Sequence, residues 1–338
     1  MNWISNASLK DYNTFGIEAR AAYFASFDSL ESLKELLDSK PEHFPIMILG
    51  GGSNMLLVKD VNACVLHHNV KGIEVISENE KEVLVRAGGG EVWHDLVMYS
   101  VNRGWGGLEN LSLIPGYVGA APIQNIGAYG VELKDCFVSL DAINIHSKRL
   151  HTFNHALCEF GYRDSIFKNG AKGHYVILNV TLRLQKNPRL NLGYGAIQKE
   201  LENRGIKNPN VKDVSKVVMA IRRSKLPDPM VLGNSGSFFK NPIVSVAMAD
   251  SIQSKHPDLV RYDLPAATSK LAAGWLIEQA GWKGYREGDA GVHEKQALVL
   301  VNHGKASGED IWNLATKIIE DVHAKFGVRL EPEVNILQ

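Results

Sequence analysis

Apolar residues recur at helical spacing in well-separated places along the chain. Leu30, Leu33, Leu36 and Leu37 share one face, and Asp28 with Glu31 has the spacing of a capping box at the start of that helix. The run from Val83 to Ala87 reads as a strand, followed by a glycine triplet at 88–90 and a helix through Trp93 and Leu96. Ile311, Leu314, Ile318, Val322 and Phe326 trace a long amphipathic helix that Gly327 ends. Ser269 to Ala280 also reads as helical. Phe44 to Leu49 and Ala297 to Val301 read as strands, and a last strand carries Glu331, Pro332, Glu333 and Val334. Pro227 and Pro229 stop a basic helix containing Arg222 and Arg223, which places a boundary near residue 226. No internal repeat or low-complexity tract interrupts this order. The alternation of strands and helices predicts an α+β first half built of two small lobes.

The stretch from Ile114 to Gly130 fits neither period. Its four glycines and two prolines are interleaved with small residues, Gln124, Asn125 and two tyrosines. Glycine lets backbone approach a ligand closely, and proline lowers the cost of ordering the loop. A preorganised wall for a flat, polar-edged molecule is one reading, and a Gly/Pro-rich surface loop is the other. A second cluster, Gly50, Gly51, Gly52, Ser53 and Asn54, follows the strand ending at Leu49. Consecutive amides with a hydroxyl at a strand end suit a phosphate or pyrophosphate, whereas a tight hairpin turn would need the same residues. Met55 stands where a G-x-G-x-x-G needs its last glycine, and Ala306 follows His303, Gly304 and Lys305 where a P-loop needs Ser or Thr. A Rossmann dinucleotide site and a P-loop are both disfavoured.

Lys and Arg balance Asp and Glu at 37 each over 338 residues, so no global field favours nucleic acid or a membrane surface. No run approaches transmembrane length and no leader pattern is found near Met1, which leads to the expectation of no membrane insertion. Cys64, Cys136 and Cys158 are odd in number and lack C-x-x-C spacing, which points to a reducing cytoplasm and against a cysteine zinc site. His67 and His68 read as a surface turn rather than as metal ligands.

Six motifs then occur in one order: Thr14 to Gly16, Leu49 to Met55, Ile114 to Gly130, Tyr162 to Ser165, Gly233 to Pro242, and Leu330 to Val334. Together they resemble the UDP-N-acetylenolpyruvoylglucosamine reductase family, from near residue 12 to near residue 334. The segments around Tyr194 and Tyr262 resemble the insertions of its larger, type I members. The resemblance implies an FAD-binding unit of the vanillyl-alcohol-oxidase (PCMH) type, with lobes at 1–70 and 71–226, and an α+β substrate-binding domain at 227–329. A C-terminal strand at 330–338 would return near the first lobe. It also implies FAD as cofactor, NADPH as reductant, UDP-N-acetylglucosamine enolpyruvate as substrate, no metal, and a cytoplasmic monomer.

Reducing an enol ether attached to a carboxylate takes a hydride at one carbon and a proton at the next. The charge that develops must be drawn into the carboxylate. No side chain delivers hydride, so a flavin or nicotinamide must. The resemblance makes Ser237 the proton donor, with Arg163 and Glu333 acting on the carboxylate. Ser235, two residues before Ser237, stands where many relatives carry alanine, and Asn335 stands where a basic residue is expected. Flavin contacts are implied for Gly50, Gly51, Gly52, Ser53, Asn54 and Met55, and for Arg222. In the long loop they are implied for Pro115, Gly116, Gly119, Ala120, Ala121, Pro122, Gln124, Asn125, Gly127, Ala128 and Tyr129. Tyr194, Lys225, Asn241, Tyr262, Lys283 and Gln296 are implied to handle the substrate diphosphate. An oxidase of the same flavin fold and a non-catalytic sugar-nucleotide-binding protein are the competing readings.

Overall fold

The computed structural model describes residues 2–338. The chain divides into two compact units. One comprises residues 1–7, 21–51 and 62–224; the other comprises 8–20, 52–61 and 225–338. Two short N-terminal stretches thus belong with the C-terminal part of the chain, a grouping that sequence order does not reveal.

In the first unit, Ile4–Ser8, Arg20–Phe27, Val61–His68 and Ile46–Leu49 form a sheet in that order. Ile46–Leu49 runs parallel to Val61–His68. The helix Leu30–Asp38 buries Leu33, Leu36 and Leu37 against Phe27 and Leu66, as its periodicity predicts. Its cap differs by one residue from expectation. Ser29 is the N-cap, and its hydroxyl accepts from the Ser32 amide at 3.1 Å while Ser32 closes the box. Asp28 takes the Ser32 hydroxyl instead.

A five-stranded antiparallel sheet follows, in the order Leu150–Asn154, Phe137–Asn144, Tyr175–Gln185, Glu82–Gly88 and Ile73–Glu78. Trp93–Asn102 packs Trp93, Leu96, Val97 and Val101 into the same core as Val83, Val85, Val180 and Leu182. The basic helix is Val211–Lys225. Its apolar face joins Ile197 and Leu201 of Gly195–Asn203 in a separate small cluster.

The second unit holds the sheet Gly233–Asn234, Leu300–Asn302, Ala290–Val292 and Arg286–Glu287, and a smaller one of Ile243–Ser245, Thr268–Leu271 and Arg261–Leu264. Gly308–Phe326 is the long amphipathic helix, ended by Gly327 at φ 69°. The helix expected over Ser269–Ala280 is in fact a strand followed by a helix, Ala273–Gln279. Ser269 lies in the pleat, where its hydroxyl is bonded to Asp263 across the hairpin. The expected strand through Glu333 begins later, at Asn335–Leu337, which runs parallel to Met55–Leu57. Among the described residues no helix is long and apolar enough to cross a membrane.

The histidine pair ends a strand rather than forming a surface turn. His68 is 4 % exposed; its Nε2–H donates to the Ile177 carbonyl at 2.8 Å and its Nδ1 accepts from the Val70 amide. A Cβ on Gly89 would lie 2.6 Å from that Nε2, so the second glycine triplet makes room for the ring. Burial pushes the His68 pKa down to about 4, against the raising effect of the Ile177 bond. Its folded value lies below the unfolded one, so stability is fully present above pH ~6.5 and is lost as pH falls toward about 4. The expected loss is roughly 3 kcal/mol. Urea unfolding at about pH 7 and about pH 4 measures it, and His68→Gln should flatten the difference while lowering stability at neutral pH. In the second unit, Gly52 has φ +58° and an added Cβ would lie 2.0 Å from the Tyr12 carbonyl. Gly52→Ala should therefore cost roughly 2–5 kcal/mol. Gly16→Ala, at φ +64° but in open space, should cost only about 1–2 kcal/mol. Thermal unfolding of the two variants compares them.

Candidate active site

In the first unit the long loop is held by its own backbone. Val118 and Gly119 donate to Glu91 and Gly89, and Ala121 and Ile126 close successive turns. Gly119 has little choice of residue, because a Cβ would meet the Ile177 carbonyl at 3.0 Å and Gly89 at 3.1 Å. At Gly51 a Cβ would lie 3.1 Å from the Tyr117 ring and 3.2 Å from the Gly116 Cα. Glycine there lets the end of the Ile46–Leu49 strand lie against this loop. Neither helix nor long strand forms in the loop, as its composition predicts; Val118–Ala120 is one 3₁₀ turn and Gly127–Ala128 a two-residue strand.

Asn125 is fully buried, and its side chain is committed to the protein. It donates to Glu132 Oε2 at 3.0 Å and to the Gly161 carbonyl at 2.9 Å, and accepts from the Lys134 amide. Its side chain therefore serves the loop rather than a ligand, and because its amide donates to the Pro122 carbonyl at 3.3 Å, only its own carbonyl is left for a flavin contact. Asn110, not singled out from the sequence, is 1 % exposed and donates to the carbonyls of Tyr129 and Asn191. Pro122 and Ala121 are buried, while Pro115 and Ala120 are exposed.

Arg163 belongs to the same unit and has φ +54°. Its backbone is gripped by a Gly161–Asp164 bridge and by Lys168, whose ammonium donates to the Arg163 carbonyl. The guanidinium donates to the Gly127 carbonyl at 2.6 Å. The Asp164 carboxylate is occupied by the Asn169 side chain and the Ser165 amide. Arg222 donates to the Leu113 carbonyl at 3.2 Å. Burial pulls its pKa down, Tyr129 raises it and Arg163 lowers it. Tyr129 is raised by burial and lowered by Arg222, and it stands edge-on to Tyr194 at 5.2 Å. The fold thus gathers Arg163, Arg222, Tyr129 and Tyr194. Two cations with phenolic neighbours make an environment that favours an anion. Leu113, Asn125, Tyr129 and Arg163 are all non-glycine residues at positive φ, and such strain persists only where the surroundings impose it.

The second unit builds the serine segment. Asn234, 3 % exposed, donates its side chain to Pro227 and Leu232 and accepts from the Gly236 amide. Its backbone amide donates to Thr14, and Asn302 donates to Phe15. These bonds give the motif from Thr14 to Gly16 its purpose as a scaffold. Phe238 and Phe239 are fully buried, with Phe238 edge-on to Phe15 at 6.4 Å. Between these anchors Ser237 remains half-buried, whereas Ser235 is 7 % exposed and its hydroxyl has no partner among the described residues. The two serines are therefore not equivalent. Phe239 bridges Pro332, and the Glu333 amide donates to the Phe238 carbonyl at 2.8 Å, so Glu333 sits on a segment adjacent to Ser237. Glu333 lies on a bend rather than in a strand.

Asn335 has a different use from charge compensation. Its amide and side chain both donate to the Asn54 carbonyl, at 3.1 and 2.9 Å, and Asn54 donates to the Glu333 carbonyl. In that turn the amides of Gly52 and Ser53 donate to no protein group among the described residues. The triplet at 88–90 contrasts with this, because Gly88, Gly89 and Gly90 donate to Gly72, Leu178 and Val70.

The residues implied to handle the diphosphate differ in exposure and in the bonds they make. Tyr194 and Tyr262 are 44 % and 52 % exposed, and Lys225 is exposed. Asn241 accepts the Ala273 amide at 3.0 Å, which leaves its Nδ2 for an acceptor. Lys283 is paired with Glu278, and Gln296 accepts from Leu298. Among the described residues no cluster of His, Cys, Asp and Glu could hold a metal.

Residues 21–152 match the model of an FAD binding domain, and 228–337 match that of the UDP-N-acetylenolpyruvoylglucosamine reductase C-terminal domain. The chain is 52% identical over 334 residues to the UDP-N-acetylenolpyruvoylglucosamine reductase of Flavobacterium johnsoniae, covering 98% of this chain and 99% of that protein. It is 52% identical to the one from Pseudomonas aeruginosa, covering 98% of each. The crystal structure of UDP-N-acetylenolpyruvylglucosamine reductase from Thermus caldophilus has the same fold, with a TM-score of 0.68 at 23% identity over 100% of this chain and 98% of that one. FAD is the cofactor, and the residues fit it. The uncommitted Gly52 and Ser53 amides suit a diphosphate, and the glycine-lined loop, where a Cβ at 51 or 119 would press on its neighbours, suits close approach. With matched domains at both ends and half of all positions identical along its length, the chain belongs to the UDP-N-acetylenolpyruvoylglucosamine reductase family.

Proposed function

We propose that this FAD-dependent oxidoreductase reduces UDP-N-acetylglucosamine enolpyruvate to UDP-N-acetylmuramate with NADPH, for peptidoglycan precursor synthesis, as a cytoplasmic monomer. The observation that carries the reading is the 52% identity to named reductases over 98% of the chain. The free, buried Cys64, Cys136 and Cys158 accord with a reducing compartment. When bound, FAD supplies the hydride for the methylene carbon after taking it from NADPH. Ser237 gives its hydroxyl proton to the adjacent carbon, so the double bond gains one hydride and one proton. Support for Ser237 over Ser235 is its accessibility, since a sealed hydroxyl cannot reach a substrate carbon. Arg163 and Glu333 act on the substrate carboxyl. The arginine is already anchored through Gly127, so little ordering is left to be done on binding. Tyr194, Lys225, Asn241, Tyr262, Lys283 and Gln296 serve the substrate diphosphate. Lys283 leaves its surface pair with Glu278 at small cost.

The proton-donor role is confined to the second half-reaction. Ser237→Ala should leave FAD binding and its bleaching by NADPH nearly intact, and should slow reoxidation by the enolpyruvyl substrate roughly 10²–10⁴-fold. Ser235→Ala should be mild in both halves. It should keep or raise thermal stability, because it removes a buried hydroxyl whose lack of a partner costs about 1–3 kcal/mol. Rapid-mixing measurement of each half-reaction decides: equal slowing of both by Ser237→Ala, or greater damage from Ser235→Ala, would overturn the assignment. NADPH and the UDP-sugar should also compete for one binding region, as the chain has one flavin-type loop and no separate dinucleotide fingerprint. Excess sugar substrate should then inhibit flavin reduction, and ternary-complex kinetics without such inhibition would contradict this.

A further inference from the structure

Leu113 precedes the flavin loop and is held by side chains at both of its backbone polar groups. Its amide donates to His94 Nδ1 at 3.0 Å, and its carbonyl accepts from Arg222 Nε at 3.2 Å. Its φ of +61° is costly for a branched residue, by roughly 1–2 kcal/mol, so the conformation must be imposed from outside. The imidazole that accepts the Leu113 amide carries its proton on Nε2 and is neutral. A protonated ring has two donors and no acceptor, and it would face the Leu113 N–H with another N–H.

We propose that His94 is a positioning residue for Arg222: its neutral ring fixes Leu113, the Leu113 carbonyl orients the guanidinium, and protonation of His94 releases both and weakens cofactor binding. The proposal rests on the reading of Arg222 as a flavin contact. Charges around the ring favour the neutral form. Burial lowers the His94 pKa, Arg223 and Arg222 lower it further, and Asp95 acts in the opposite direction. The folded value lies below 6.5, so the arrangement is complete above pH ~6.5 and is lost as pH falls below it.

The test is the dissociation constant of FAD, followed by flavin fluorescence on the full chain between about pH 8 and about pH 5. The native protein should bind FAD progressively more weakly toward the acid end, by at least about twofold at pH ~5. His94→Asn places Oδ1 where Nδ1 stood and accepts at every pH, so its affinity should match the native protein at about pH 8 and stay flat. His94→Leu should be weaker by about tenfold throughout, with no pH dependence beyond that of His94→Asn. Acid effects from His68 persist in all three proteins and cancel in the comparison. Thermal unfolding without FAD shows whether each variant is folded. An Asn variant with the native pH profile, or a folded Leu variant with native affinity, would overturn the proposal. Arg222→Met separates this from the underlying reading: unchanged FAD affinity there removes the flavin role of Arg222. A loss there, with no effect of either His94 variant, removes only the role of His94.

Discussion

The buried side chain of Asn125 ties together the parts of the first unit that carry its chemistry. One amide group spans Glu132, Lys134 and Gly161, and so joins the glycine-rich loop to the turn that presents Arg163. Ser165, fully buried, adds a second tie through the Ile123 carbonyl, and Arg163 itself adds a third through Gly127. A loop of glycines and small residues has no side-chain core of its own. Its rigidity must come from hydrogen bonds satisfied away from water, where an unmade bond costs most.

That rigidity has a purpose because the local charges are unbalanced. Arg222 is lowered by burial and by Arg163, and its fixed contact is a carbonyl rather than a carboxylate. Holding two guanidinium groups in one neighbourhood is unfavourable until an anion arrives. The cost is carried by the surrounding fold, in the same places where non-glycine residues are held at positive φ. In the second unit the equivalent work is done by apolar packing. Phe238 and Phe239 are driven fully into the core on one side of Ser237, and Asn234 is locked on the other, so the serine between them is presented without being sealed.

The two glycine triplets look alike in sequence and do opposite things. Residues 88–90 are glycine because His68, Val70 and Ile177 leave no room for a Cβ, and their amides are all spent on protein carbonyls. In the turn at 50–54, Gly52 is forced by Tyr12 and by its positive φ, yet its amide and that of Ser53 stay available. Composition predicts close backbone approach at both places. Which backbone approaches, and whether a donor is left over, depends on partners far away in the chain.

The sequence by itself determined the helices with a clear apolar stripe, the strand runs at 44–49 (formed over Ile46–Leu49) and 83–87, the irregular character of the 114–130 loop and, through six ordered motifs, the family. Those features are written in local spacing or in residue types that tolerate no substitute. It misplaced what depends on context: the strand at Thr268–Leu271, where a polar run is recruited by its hairpin partner, and the start of the last strand, fixed by Met55–Leu57. Resemblance singled out Ser237 and left Ser235, two residues earlier, without a role; only packing buried Ser235 and left Ser237 accessible. His94 and Asn110 carried no signal at all, since a lone histidine or asparagine gains meaning from the carbonyl or amide it meets. The tertiary structure decided those roles because hydrogen-bond satisfaction and burial are properties of neighbours in space, and the chain order does not contain them.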